Sequence, residues 1–134
     1  MSFSDFLEDE LLDHVFGAAT YTAPTGVHIG LSTTAPNDDG TNFTEPAQAL
    51  GYSRAEYSNN KTTWSTSSSG SVNNAIALQW GSATGDWGTV SHFGIFDASQ
   101  DGNLLAYGTL DTAKSVQNSD QAQFAAAQLT ITLA

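Results

Sequence analysis

Along the chain the spacing of apolar positions changes once, from a helical period to a strand period. Between Ser2 and Gly17 the apolar residues Phe3, Phe6, Leu7, Leu11, Leu12, Val15 and Phe16 recur three and four apart, with Asp5, Glu8, Asp9, Glu10 and Asp13 interleaved. That spacing predicts an amphipathic α-helix over 2–17, apolar on one face and acidic on the other. Ser2 or Ser4 supplies the N-cap, with Asp5 three residues after Ser2, and Gly17 supplies the stop. The early acids also oppose the positive end of the helix dipole.

From Tyr21 onward short runs alternate with turn residues. Val27, Ile29 and Leu31 alternate with His28, Gly30 and Ser32, as in a half-buried strand over 27–33. Ala35 to Gly51, carrying Pro36, Asn37, Asp38, Asp39, Gly40 and Pro46, reads as a long loop. Further strands are predicted over 52–57, 75–80, 90–97, 104–110 and 124–133. Asp101-Gly102 marks a hairpin loop between the fourth and fifth of these six strands. Of the 14 residues from Ser58 to Ser71, 11 are Ser, Thr or Asn, which fits an exposed loop or a polar edge ribbon. The expected fold is mainly β: an antiparallel β-sandwich, or else a flattened barrel, with one N-terminal amphipathic α-helix. With no repeat or heptad, 1–134 is expected to be one domain, the helix occupying 2–17 and the sandwich 21–134.

Composition narrows the function classes. At 134 residues, with 40% hydrophobic residues, the chain can bury a core. The formal net charge is -11, and the three cations Arg54, Lys61 and Lys114 are scattered, so no basic patch exists for nucleic acid or an anionic membrane surface. No apolar run approaches the ~20 residues of a spanning helix. Five acids and no cation in the first 13 residues predict no secretory leader. Cysteine is absent, which removes disulfides, thiolate nucleophiles and Cys-based metal sites. In place of charge, 46 of the 134 residues are Ser, Thr, Asn or Gln, a neutral polar surface of the kind that suits many-copy assemblies.

The chemistry-bearing residues form no catalytic pattern. His14, His28 and His92 show no metal-binding spacing, and each is expected to meet solvent or a polar partner. Asn37 to Asn42, with Glu45 nearby, offers oxygen ligands but not the spacing of a calcium loop, so a solvated turn is expected. Glu8, Asp9 and Glu10 sit together on one helix face rather than across a cleft. No nucleophile elbow, phosphate loop or Ser-x-x-Lys is present. The expectation is therefore no enzyme, no cofactor and no metal. Trp64, in the polar stretch, and Trp87, in a glycine-flanked turn, are candidate exposed contacts for sugar or protein, unless both fold back to cap the ends of the sandwich. The apolar helix face, Phe3, Phe6, Leu7, Leu11, Val15 and Phe16, is the candidate docking face.

Trp87 to Ala98 (WGTVSHFGIFDA) and Gly102 to Leu110 (GNLLAYGTL) resemble a family of small tailed-phage proteins usually labelled phage tail fibre protein. The resemblance extends to Phe3–Gly17, Tyr21–Pro24, Ile29–Pro36 and Leu129–Leu133, and departs in the middle, over Arg54–Ser71. It implies a virion structural role and carries over no catalytic or cofactor residue. Because the chain is short and has no shaft-forming repeat, the first expectation is a capsid decoration or cement protein on the head, with a tail fibre or tail-tip module binding host glycan as the alternative. Expected partners are other virion proteins, the major capsid protein or tail components. A homo-oligomer is expected too, a trimer being the form that fits a capsid three-fold site.

Overall fold

The computed structural model describes residues 2–133. In chain order the elements are β1 (Ser2–Phe3), α1 (Asp5–Phe16), β2 (Gly26–Ser32), β3 (Ala55–Ser58), β4 (Ser71–Asn73), β5 (Leu78–Gln79), β6 (Gly88–Phe96), β7 (Leu104–Val116), β8 (Gln123–Phe124) and β9 (Thr130–Thr132). Five strands form one antiparallel sheet in the order β1-β7-β6-β2-β3, while β4 pairs with β9 and β5 with β8 in two short ribbons. The ribbons pack across the five-stranded sheet. Its edge strands do not pair with each other, so the architecture is an open sandwich rather than a closed barrel.

The two-residue period of β2 explains the core. Val27, Ile29 and Leu31 point inward beside Ala55, Phe93 and Ile95 of the flanking strands and meet Leu78, Trp80 and Leu129 from the ribbon side. The Trp80 indole N–H donates to the Ile29 carbonyl at 3.1 Å, and Phe124 packs edge-on against Phe93 with ring centres 5.4 Å apart.

The opposite phase of the same strands places Gly30 directly across from Gly94, leaving a strip of bare backbone on the outer face. The 35–51 loop fills it. A Cβ at Gly94 would lie 2.7 Å from the Phe43 ring and 2.9 Å from Leu104, and one at Gly30 would lie 3.0 Å from both Phe43 and Glu45. Phe43 meets Phe96 edge-on at 4.9 Å, and the Arg54 guanidinium lies 3.6 Å over the Phe96 ring. Arg54 Nε and Nη2 donate to the two Glu45 carboxylate oxygens at 2.9 and 3.0 Å, and Nη1 donates to the carbonyls of Ala98 and Asp101, each at 2.9 Å. The Tyr52 hydroxyl donates to Glu45 at 2.6 Å and accepts the Leu31 backbone N–H at 3.0 Å, ahead of the start of β3. Burial, followed by the Glu45 carboxylate, pushes Tyr52 ionisation well above its ordinary range.

Several boundaries differ from the pattern in the sequence: the strand expected over 52–57 spans Ala55–Ser58, and the short strand Ser71–Asn73 is not among the expected ones. Ser2 and Phe3 form a strand against Tyr107 and Ala106, and the helix begins only at Asp5. The expected strands over 75–80 and 124–133 shrink to Leu78–Gln79, Gln123–Phe124 and Thr130–Thr132. Asn74, fully buried, interrupts both: its amide donates to the carbonyls of Ile76 and Ala125, and its Oδ1 accepts the Leu129 N–H at 2.8 Å. Strand β7 instead runs on to Val116, through DTAKSV, which has no apolar alternation to announce it.

Removing one partner of a largely buried ion pair strands the other. Arg54→Ala should therefore lower stability by about 3 kcal/mol, and Arg54→Lys should recover less than half of this, since an ammonium cannot fork across a carboxylate; urea denaturation measures both. The pH dependence has a defined sign. Tyr52 stays neutral in the fold above the pH of about 10 at which an unfolded tyrosine ionises, so its contribution is complete below that pH and is lost as pH rises beyond it. Stability measured between about pH 10 and 11 should fall less steeply in Tyr52→Phe than in the wild type.

Candidate docking surface

Helix α1 is anchored at its start. The Ser4 side chain accepts the Leu7 N–H at 3.3 Å as N-cap and donates to the Leu104 carbonyl, while its backbone N–H donates to Leu105 at 2.9 Å. The Asp5 N–H donates to the Asp38 carbonyl at 3.0 Å, and the Asp38 carboxylate accepts the Tyr107 hydroxyl. Phe6 and Leu7 pack against the core, and Tyr21 returns beside Phe6 with ring centres 6.5 Å apart. Burial, with help from Asp97 and Glu10, raises the Tyr21 pKa.

The helix ends in a tight reversal. Gly17 and Ala19 both donate to the Asp13 carbonyl, at 2.9 and 3.1 Å, and His14 Nδ1 accepts the Tyr21 N–H at 3.0 Å. The left-handed residue is Ala18, at φ 58°, and not Gly17, whose backbone lies so near Asp13 that a Cβ would approach within 3.0 Å.

The expected single apolar face is corrected by this placement. Neighbours along a helix point about 100° apart, so the pairs Phe6-Leu7, Leu11-Leu12 and Val15-Phe16 together spread around most of the helix and cannot all share one side. Phe3 lies in β1, off the helix. Phe6, Leu7 and Leu11 are half-buried, whereas Leu12, Val15 and Phe16 are 57%, 64% and 84% exposed. The exposed side therefore changes along its length: Asp5, Glu8 and Asp9 occupy the first turns, and Leu12, Val15 and Phe16 the last.

The tryptophans are corrected as well. Trp64 and Trp87 are 7% and 4% exposed, so neither is an open contact. Trp64 donates to the Asn59 side chain at 3.1 Å, and Trp87 donates to the Leu50 carbonyl at 2.7 Å while meeting Tyr52 edge-on at 5.3 Å. Both rings close off the core, which the alternative of folded-back caps describes. A polar surrounding sequence does not expose an indole whose N–H has a partner.

The other candidates are dispersed. Asp39 accepts from the Thr41 N–H and hydroxyl, which holds its carboxyl below the usual carboxylate range, and Glu45 is bound to Arg54, so the Asn37–Asn42 turn is closed by its own hydrogen bonds. His92 shares a 2.7 Å contact with Ser91. His28 departs from expectation: its Nδ1 is buried without a hydrogen-bond partner, beside an open polar cleft that includes Glu56 and Asp97. Among the described residues, no group of three or more His, Asp or Glu is arranged to hold a metal ion. A second groove, of about 620 Å³, opens between β7 and the 120–128 segment, with Trp80, Val90, Phe93 and Phe124 in its walls.

The surface is thus one of structural contacts, and comparison with known proteins agrees. Residues 2–132 match the family model of the Podophage GP4 fiber I protein gp80. The chain belongs to that family. Membership in the gp80 fibre family places the chain among the fibre-type structural proteins of phage virions. A comparison with curated protein sequences finds no match. No described helix is long and apolar enough to cross a membrane.

The buried indoles give a test of their role. Trp87→Ala removes a large core side chain and should cost about 3–5 kcal/mol, read as a lower midpoint in thermal unfolding. A variant that unfolds like the wild type would assign Trp87 to the surface instead.

Proposed function

We propose that this chain is a fibre-type structural module of a podophage tail, carried by a larger tail component. The observation that supports this most is the length of the family match, residues 2–132, to a protein described as a fibre protein. The fold itself supplies no shaft: its longest strand has 13 residues and its helix 12. In this reading the exposed helix end is the means of attachment to that component. Host-glycan binding, in this reading, loses the two indoles that would have stacked on sugar rings.

Cryo-EM of purified virions at side-chain resolution tests the location. Density for this sandwich and helix is expected at the tail fibres. Regular copies on the head lattice would overturn the fibre reading in favour of decoration.

A further inference from the structure

We infer that the last turns of α1 form a docking knob, with Leu12, Val15 and Phe16 entering an apolar pocket rimmed by lysine or arginine on a different virion protein. The inference rests on the virion role of the chain and is independent of whether that role is on tail or head. Among the described residues, three of the five exposed large apolar side chains belong to this one short stretch; Ile76 and Leu133 come from other segments. Phe16 is 84% exposed although the half-buried Phe6 and Leu7 lie on the same helix. An apolar cluster of this kind on a soluble surface marks a contact site.

Charge selects the partner. Asp5, Glu8, Asp9 and Asp13 lie along the exposed part of the same helix, and the helix C-terminus adds its own partial negative charge at the knob. Of the three cations, Arg54 is engaged by Glu45 and two carbonyls, Lys61 donates to the Ser65 carbonyl at 2.9 Å, and Lys114 lines the groove beside β7 together with Asp111 and Asp120, so the rim of that groove is not basic. A second copy would therefore bring a surface of the same sign, at a formal charge of -11 per chain, against this acidic helix. A basic rim around an apolar pocket complements both halves of the face, and opposite potentials of that kind speed encounter and fix register.

The test uses phage carrying variant genes, with occupancy per virion measured by quantitative mass spectrometry. Leu12→Ser/Val15→Ser/Phe16→Ser should leave the thermal midpoint of the purified protein unchanged and reduce occupancy at least about tenfold. Should the triple variant lose its fold, Phe16→Ser alone repeats the measurement at the most exposed position. Benzoylphenylalanine at position 16 should crosslink, in assembled particles, to a site flanked by Lys or Arg on another virion protein, and assembly in 0.5 M rather than 0.05 M NaCl should lower occupancy. Unchanged occupancy of a folded variant, indifference to salt, or crosslinks confined to further copies of this chain would each overturn the docking knob. None of these results bears on where the particle image places the chain, so the fibre reading and the knob can fail separately.

Discussion

The guanidinium of Arg54 is the point on which the outer half of the molecule turns. It is flat against Phe96, forked across Glu45 and hydrogen-bonded to the carbonyls at Ala98 and Asp101. One side chain thereby joins the 35–51 loop, the β6–β7 hairpin and the start of β3. The loop it fixes lays Phe43 over Gly30 and Gly94, which have no side chains of their own to cover the sheet. The same loop presents the Asp38 carbonyl to the first turn of α1. The attitude of the helix, and with it the direction of Phe16, therefore depends on a pairing between Glu45 and Arg54, distant from it in sequence. The pairing takes one charge of each sign off the surface, so the acidity of the remaining surface is set by the other acids.

Much of the sandwich is legible in the residues because period and burial agree there. Val27, Ile29 and Leu31 alternate and are buried; Asp101-Gly102 sits in the turn its dipeptide demands, with both residues at positive φ. Legibility fails where a polar side chain acts at long range. Asn74 cuts two predicted strands by bonding across more than fifty residues, and no local pattern can show that. The β7 extension fails for the opposite reason: Asp111 to Ser115 is exposed, so nothing forces an apolar alternation on it.

The candidate site shows the same limit in another form. Spacings of three and four place apolar residues near one another on a helix, but three adjacent pairs in one twelve-residue helix spread them over most of its circumference. The core can then take only one side. The sequence pattern thus identifies an amphipathic helix with too many apolar residues for one interface, and only packing shows that Phe6, Leu7 and Leu11 face the protein while Leu12, Val15 and Phe16 do not. Trp64 and Trp87 invert this lesson, being surrounded by polar residues in sequence and by core in space.

That the helix end and not a sheet edge is open for docking follows from how the edges are built. An unpaired strand edge invites a strand from another chain unless it is short, charged or bulged. Strand β1 has two residues and β3 four. Beyond Tyr107 the outer edge of β7 has no strand partner among the described residues, but there the pairing with β6 jumps from Thr109 to Lys114 between His92 and Val90, and Asp111 and Lys114 stand on the bulged segment. Such an interruption twists the edge out of register for indiscriminate pairing. Edge association is thus discouraged by geometry and self-association by charge, whereas a helix end satisfies its own backbone and offers side chains alone. Contact through Leu12, Val15 and Phe16 therefore depends on the shape and charge of the pocket it enters, which makes it selective where edge pairing would not be.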